Sequence, residues 1–322
     1  MTDGAAARSA GPGVKPSSGP SSDPSSGPSS EPGKAALWML GSLASFTLMA
    51  IAGRELASDL NSFQILFWRS VIGLAIVACV IAASREGFAQ IATQRPDLHG
   101  VRNVFHFFGQ NCWFYAVATI PLAQVFAFEF TTPIWIALLA PLALGEPFTR
   151  FRMLAAALGF VGVLIVVRPG VAEFGFGQGV ALVAAIGFAV NVIATKKLSS
   201  IEGNLSILFW MTASQAVMAV VCDLVVSGSE ALPAPTAETG FWVTIVALCG
   251  LSAHYSIAAA LRCADATVVA PLDFFRLPVV AVAAALLYAE ALDPFVFLGG
   301  ALIFLGNFLN IRAEKRRLAD AA

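Results

Sequence analysis

From Leu37 onward the chain alternates long apolar runs with short polar connections. Ten of these runs approach the roughly 20 residues that an α-helix needs to cross a bilayer. They cover residues 36–54, 63–84, 99–117, 121–144, 151–168, 178–197, 205–227, 240–262, 266–290 and 294–312. None shows the regular polar stripe of a soluble amphipathic helix. The pattern predicts an all-α integral membrane protein with ten transmembrane helices.

Shared sequence features indicate that the first five spans and the last five are copies of one unit. Residues 65–68 (Ile-Leu-Phe-Trp) recur as residues 207–210, an offset of 142. Pro133 corresponds to Pro278, and Glu146 to Glu290, at offsets of 145 and 144. A unit with an odd number of spans must sit in opposite orientations in its two copies. We therefore predict two inverted five-helix repeats, residues 36–170 and 176–312, with a solute site near the membrane midplane.

The two ends of the chain differ in composition from the apolar segments. Residues 1–35 are rich in Ser, Pro and Gly, with four-residue repeats such as SSGP and SSDP, and cannot supply a hydrophobic core. We expect a disordered cytoplasmic tail there, either dispensable or acting as a regulatory tether. Residues 313–322 form a short basic cytoplasmic tail.

Composition and charge distribution support the membrane assignment. Apolar residues make up 58% of the chain and charged residues 12%, whereas soluble domains have about 45–50% and 25%. Fourteen Lys and Arg residues fall on one side of the predicted membrane, and only Arg54 and Arg168 fall on the other. Because positive residues stay on the cytoplasmic side, both termini are predicted in the cytoplasm, with the protein in the inner membrane.

The third span carries a polar face. Arg102, His106, Gln110 and Trp113 follow helical spacing along one side of it. They either line a solute cavity or hydrogen-bond to neighbouring helices, and Arg102 alternatively reaches the headgroups with its long side chain. Arg69 lies about two turns below the outer surface, where it pairs with an acid or reaches the same cavity.

Carboxylates within the spans are the candidates for proton coupling, because a charge inside a membrane is costly and usually functional. Glu129 has no basic residue within a turn of its own helix, so it either exchanges protons or pairs with Arg69 or Arg102 across the bundle. Asp273 and Arg276 are three residues apart and can pair along their helix. That pair either neutralises itself or opens to a charged solute.

Two prolines, Pro271 and Pro278, flank Asp273 and Arg276 and predict a kinked or opened ninth span. His254 in the eighth span is a weaker cavity candidate, as are Asn191 and Gln215. Aromatic residues can supply cavity walls: Phe107, Trp113, Phe126, Trp135, Phe274 and Phe275.

Nothing in the sequence suggests an enzyme. Motifs such as GxSxG, HExxH and the phosphate-binding P-loop are absent from it, and its five cysteines are scattered singly. We therefore expect no catalytic residues, no cofactor and no metal. The expected partners are the lipid bilayer and a small-molecule solute, without nucleic acid. A homodimer is a further expectation, through the glycine-rich fifth and tenth spans.

At this point the chain resembles the drug/metabolite transporter superfamily, namely its bacterial ten-helix carriers with two EamA domains. The resemblance covers residues 36–312 and rests on loose motifs in a fixed order. These are Phe67–Ser70, Arg102, Pro133 with Trp135, Leu144–Pro147, Gly159–Val163 and Ala264–Glu290. The layout is similar to bacterial S-adenosylmethionine and riboflavin carriers. In the S-adenosylmethionine type, however, a basic residue precedes an acid after the ninth-span proline, whereas here Asp273 precedes Arg276.

The resemblance implies a cavity between helices three, four, eight and nine, which opens to alternate sides as the two halves rock. We therefore expect a secondary transporter of a small organic metabolite or drug-like solute, working by alternating access and coupled to protons through Glu129 or Asp273. The alternative is a membrane sensor or scaffold that keeps the transporter fold without transport.

Overall fold

The computed structural model describes residues 31–144, 149–168, 174–228, 232–264 and 266–320. Within these ranges the regular structure is entirely helical. The helices are α1 (Pro32–Leu56), α2 (Ser62–Ala83), a short 3₁₀ helix (Gly87–Ile91), α3 (Pro96–Thr119), α4 (Leu122–Glu129), α5 (Thr132–Leu144), α6 (Arg150–Val167), α7 (Phe176–Leu198), α8 (Asn204–Ser227), α9 (Ala237–Cys263), α10 (Ala266–Phe274), α11 (Arg276–Tyr288) and α12 (Pro294–Asp320).

Nine segments of the described chain are long and apolar enough to cross a membrane, with α4–α5 and α10–α11 each counting as one. Helix α3, the third predicted span, has 24 residues but is not among the nine. Asp97, His99, Arg102 and His106 lower the mean hydropathy of this helix. The all-helical membrane fold is confirmed, whereas the tenth crossing stays a prediction.

One helix boundary differs from the predicted limits of the N-terminal tail. Helix α1 begins at Pro32, so the last residues of the predicted disordered tail are helical instead. Proline favours the first turn of a helix because its missing N–H would have no partner there. Residues 1–30 and Glu146 lie outside the described residues.

The fourth and ninth predicted spans are each broken in the middle. Helix α4 ends at Glu129, four residues before Pro133, and α10 ends at Phe274, four residues before Pro278. A proline lacks the N–H that would bond four residues back, and its ring clashes with that carbonyl. The predicted opening of the ninth span is confirmed, and the repeat-related proline opens the fourth span at the equivalent place.

Helix packing follows the two-repeat arrangement. The most extensive contacts join α1 to α9, α3 to α7, α2 to α8 and α6 to α12. Exchanging the repeats turns the pair α1–α9 (spans one and eight) into α7–α3 (spans six and three). The pairs α2–α8 and α6–α12 each map onto themselves. The contacts therefore have the approximate two-fold relation that a duplicated unit produces.

The glycines of the fifth and tenth spans are used inside the chain. A Cβ atom on Gly162 would lie 2.6 Å from the backbone oxygen of Gly299, so α6 and α12 approach at backbone distance. Gly300 faces Leu277, and Gly306 faces the backbone of Ala155. Because these glycines pack within the chain, they do not support the predicted homodimer. The homodimer stays a prediction.

Candidate functional site

The two helix breaks are joined by a charged triad that consists of Glu129, Asp273 and Arg276. The guanidinium of Arg276 donates to Glu129 Oε1 at 3.0 Å and to Asp273 Oδ2 at 2.8 Å. The indole of Trp113 donates to the other oxygen of Glu129 at 2.8 Å. Glu129 is the last residue of α4, and Arg276 is the first of α11. The triad therefore links α3, α4, α10 and α11 in the middle of the bundle.

Each helix end makes its own charge less favourable. A cation at a helix N-terminus and an anion at a helix C-terminus both oppose the helix dipole. Arg276 and Glu129 occupy these two positions, so the ion pair between them offsets both costs. The triad also holds the end of α4 against the start of α11, where the backbone hydrogen bonds of each helix stop.

Aromatic rings enclose the guanidinium of Arg276, which is 5% exposed. Its Cζ atom lies 4.3 Å from the ring centre of Phe46, 5.1 Å from that of Phe130 and 5.4 Å from that of Phe126. An aromatic face attracts a cation, and low polarity strengthens the neighbouring ion pairs.

A second group of basic side chains, here called the basic cluster, consists of Arg69, Arg102, His106 and His254. Arg102 is buried and donates to the hydroxyl of Thr195 and to Asn103 Oδ1, both at 2.8 Å. His106 Nδ1 lies 3.0 Å from Nε2 of Gln215 on α8. Arg102 therefore bonds neighbouring helices from within the bundle instead of reaching the headgroups.

Arg69 is 9% exposed and has neither a hydrogen bond nor an ion pair with any described residue. Its guanidinium lies against Gly250 of α9, where a Cβ atom would come within 2.9 Å of Nη2. It borders a small cavity of about 10 Å³ between α2, α8 and α9, roughly the space for one water molecule.

Phe46 connects the triad with the basic cluster. Its ring lies under Arg276 on one side and makes an edge contact with the imidazole of His254, with ring centres 5.7 Å apart. His254 is exposed, yet it stands within electrostatic reach of Arg69, Arg102 and Arg276. His254 therefore lies beside both the triad and the other residues of the basic cluster.

The predicted cavity residues differ in their burial and in their hydrogen-bond partners. Glu129 pairs with Arg276, so the predicted pairing of Glu129 with Arg69 or Arg102 was wrong. Gln110 is buried, with its Oε1 atom unpaired. Trp135 donates to Thr131 in the preceding turn, and no contact among the described residues joins it to a charged group.

The aromatic residues around Arg276 differ in part from those predicted as cavity walls. Phe275 is 60% exposed, and its place in a cavity wall stays a prediction. Phe46 and Phe130 were missed. They belong to spans rich in apolar residues, where a phenylalanine that faces a cation has the same sequence signal as one that faces lipid.

The predicted outer end of the bundle has its own ion pair. Arg54 Nη1 donates to Glu290 Oε1 at 2.9 Å, and the other oxygen of Glu290 accepts the backbone N–H of Leu122 at 2.8 Å. Arg54 also donates to the carbonyls of Val117 and Ile120. These bonds fasten α1, the α3–α4 junction and the segment after α11 to one another.

At the predicted inner end, Glu202 in the α7–α8 connection collects three hydrogen bonds. Thr93 donates at 2.5 Å, the imidazole of His99 lies 2.8 Å away, and Ser206 donates at 3.0 Å. Burial opposes ionisation of this carboxyl, but the three hydrogen bonds outweigh burial and hold its pKa below the ordinary value. Glu202 thus fastens α3 to the second repeat.

Metal binding finds no support in the described part of the chain, where no group of three or more His, Cys, Asp and Glu residues comes together.

Comparisons with known proteins agree with the fold and with the resemblance. The model of the EamA-like transporter family matches residues 33–168 and again residues 175–312. A riboflavin transporter of Rhizobium johnstonii is 30% identical over 288 residues, which cover 88% of this chain and 92% of that protein. An S-adenosylmethionine uptake transporter of Rickettsia felis is 26% identical over 285 residues, covering 88% and 94%.

An exporter is also similar to this chain. The pseudopaline exporter of Pseudomonas aeruginosa is 26% identical over 283 residues, which cover 86% of this chain and 96% of that protein. A solved crystal structure covers 89% of this chain and 99% of its own chain, with a TM-score of 0.59 and 18% identity, a likeness that shows the fold. The chain therefore belongs to the EamA-like transporter family, and it is a multi-pass membrane protein that transports small organic metabolites by secondary transport and is not an enzyme.

Proposed function

We propose that the solute binds between the triad and the basic cluster, and that the triad couples its movement to protons. The protein would work by alternating access in the inner membrane, with both termini in the cytoplasm. The observation that carries this proposal is the composition of the triad. Two carboxylates share one guanidinium, with Arg276 held between Glu129 and Asp273.

Charge balance explains why such a triad would exchange a proton. With both acids ionised it carries one net negative charge inside the membrane, where an uncompensated charge is costly. A proton on either carboxylate, or a cationic group of a solute, removes that cost. Asp273 Oδ1 and Arg276 Nε are buried without a partner among the described residues, so the triad has unused hydrogen-bonding atoms for a proton-carrying or solute-bound state.

The position of the triad suggests how binding leads to movement. Its members stand at the ends of half-helices from the two repeats, so a shift of α11 relative to α4 changes the partners of Arg276. Inverted-repeat carriers commonly bind their solutes at such interrupted helices near the midplane. Exchange of a proton at the triad would favour one arrangement of the half-helices over the other.

The relatives suggest the first solutes to test, namely riboflavin and S-adenosylmethionine. The purified protein is reconstituted into liposomes, and flux of each radiolabelled compound is measured with and without an imposed pH gradient. We expect flux through the wild type that accelerates with the gradient. Asp273→Asn and Glu129→Gln should lose most of this acceleration and keep exchange of labelled for unlabelled solute.

A matched control is Asp293→Asn. Asp293 pairs with Arg168 at the predicted outer boundary, away from the triad, so its loss should leave the gradient response intact. Proton coupling is refuted if the gradient leaves wild-type flux unchanged, or if both triad variants respond as the wild type does. A sensor or scaffold without transport has no support among the relatives, and flux in this assay would exclude it directly.

A further inference from the structure

We infer that Arg69 anchors an anionic group, a carboxylate or a phosphate, of the transported solute, an inference that rests on the proposed function. The two central arginines of the protein have opposite surroundings. Arg276 is held by two carboxylates, whereas Arg69 meets none among the described residues. Burying a cation without an anion is costly, and proteins retain such a group where a ligand or a water-filled path compensates it.

Arg102 adds to the positive charge on the same side. The acceptors of its guanidinium among the described residues are neutral: a threonine hydroxyl, an asparagine oxygen and, at 3.7 Å, the sulfur of Met211. Its charge is therefore uncompensated in the described surroundings. His106 stands within electrostatic reach of both Arg69 and Arg102. An anion entering beside Arg69 would thus meet two fixed positive charges and no competing carboxylate.

The guanidinium of Arg69 has no acceptor among the described residues, and the cavity beside it has space for about one water molecule. Gly250 supplies no side chain where Arg69 packs, and a Cβ atom there would come within 3.1 Å of Nε and closer still to Nη2. The adjoining cavity is also lined by Ser70, whose buried hydroxyl has no partner, and by Gln215. A guanidinium and a hydroxyl that lack partners among the described residues are suited to carboxylate or phosphate oxygens, which accept several hydrogen bonds at once. Such a group would enter beside Arg69 when the movement of the two halves widens this space.

Only the first repeat has an arginine at this position. At the offset of 142, Arg69 corresponds to Met211 in the second repeat. Both residues border the same small cavity, between two helices that the repeat exchange maps onto each other. One copy of the unit therefore presents a cation and the other a thioether. The solute would bind in one orientation, with its anionic group toward α2.

The experiment compares compounds that differ only in the anionic group. The two pairs are S-adenosylmethionine with its decarboxylated form, and riboflavin 5′-phosphate with riboflavin. A library of small carboxylic acids and their primary amides extends the comparison to unrelated structures. Binding to the purified full chain is measured by thermal shift, and affinities of the hits by calorimetry. We expect the compound that carries the carboxylate or phosphate to bind at least tenfold tighter than its partner in each pair.

Variants assign that preference to Arg69. Arg69→Met, which places the residue of the second repeat at this position, should weaken anion binding at least tenfold without lowering thermal stability. Arg69→Lys should restore part of the affinity. Arg168→Met removes an arginine at the predicted outer boundary and should leave binding unchanged.

Each outcome bears on the inference. Equal or tighter binding of the compounds that lack the carboxylate or phosphate, or an unchanged preference for the anionic group in Arg69→Met, would each overturn it. The proposed function would survive those results as long as some bound compound shows flux in liposomes. If bound anions show no flux, the proposed function fails while the anion site stands. Preference for the carboxylate pair or for the phosphate pair identifies which anion the site takes.

Discussion

Replacing Arg276 by methionine should destabilise the protein much more than the same replacement at Arg69. Both arginines are buried, at 5% and 9% exposure, so the two substitutions remove similar side chains from similar depths. They differ in what is left behind. Removing Arg276 leaves Glu129 and Asp273 without their cation, whereas removing Arg69 leaves no described carboxylate behind.

The magnitude follows from the cost of an orphaned carboxylate. Breaking a buried ion pair from one side typically costs about 3–5 kcal/mol. An orphaned acid can instead take up a proton, which at pH 7 costs an ordinary glutamate about 3.7 kcal/mol, because its usual pKa of about 4.3 lies about 2.7 units lower. The two routes agree, so we expect Arg276→Met to lose about 3–4 kcal/mol of stability and Arg69→Met to lose almost none.

The assay is thermal denaturation of both variants in the same detergent, at pH 7 and at pH 5. With an unfolding entropy of about 2.1 cal/mol/K per residue over this chain of 322 residues, about 3–4 kcal/mol corresponds to a drop of roughly 4–6 °C. At pH 5 the protonation route costs only about 1 kcal/mol, so the deficit of Arg276→Met should shrink by more than half. The triple variant that adds Glu129→Gln and Asp273→Asn should recover most of it at pH 7.

Two results would refute this reasoning. Equal losses in the two single variants would mean that packing of the long arginine stem, and not charge pairing, determines their contribution. A deficit for Arg276→Met that is the same at both pH values would mean that the carboxylates of the triad are stabilised by groups other than Arg276.

Three further predictions concern other parts of the fold. The pKa of Glu202 in the folded protein is held below the ordinary value of 4.5. Its contribution to folding stability is therefore present above pH 4.5 and disappears as the pH falls through the folded pKa. In thermal scans from pH 3 to 7, Glu202→Gln should be less stable than the wild type at neutral pH and equally stable in acid. Gly162→Ala should cost about 1–3 kcal/mol, because its Cβ would meet the backbone of α12 at 2.6 Å, whereas Gly179→Ala, with its nearest neighbour at 3.8 Å, should melt like the wild type. Phe46→Leu should lower stability by about 0.5–2 kcal/mol through loss of the aromatic face 4.3 Å from Arg276, and an unchanged melting temperature would contradict that contact.

The sequence by itself determined the class of protein, the repeat and the place where two helices break. Apolar runs of bilayer length specify membrane helices because a spanning segment must satisfy its own backbone hydrogen bonds. The break positions follow from local chemistry, since Pro133 and Pro278 each remove one N–H and displace the carbonyl four residues back. Such properties depend on neighbours along the chain, so they are visible without a structure.

The local pair of Asp273 and Arg276 was predictable from their spacing, but only the tertiary structure decided which charges pair between distant segments. Glu129 has several arginines within possible reach of a folded bundle, and its partner depends on how α4 packs against α11 across 147 residues of chain. The same packing leaves Arg69 without an acid and places Phe46 between the triad and His254. Whether two charges pair inside a membrane depends on distances of a few ångströms between helices. Those distances result from the packing of the whole fold, and the local sequence of an apolar helix does not reveal them.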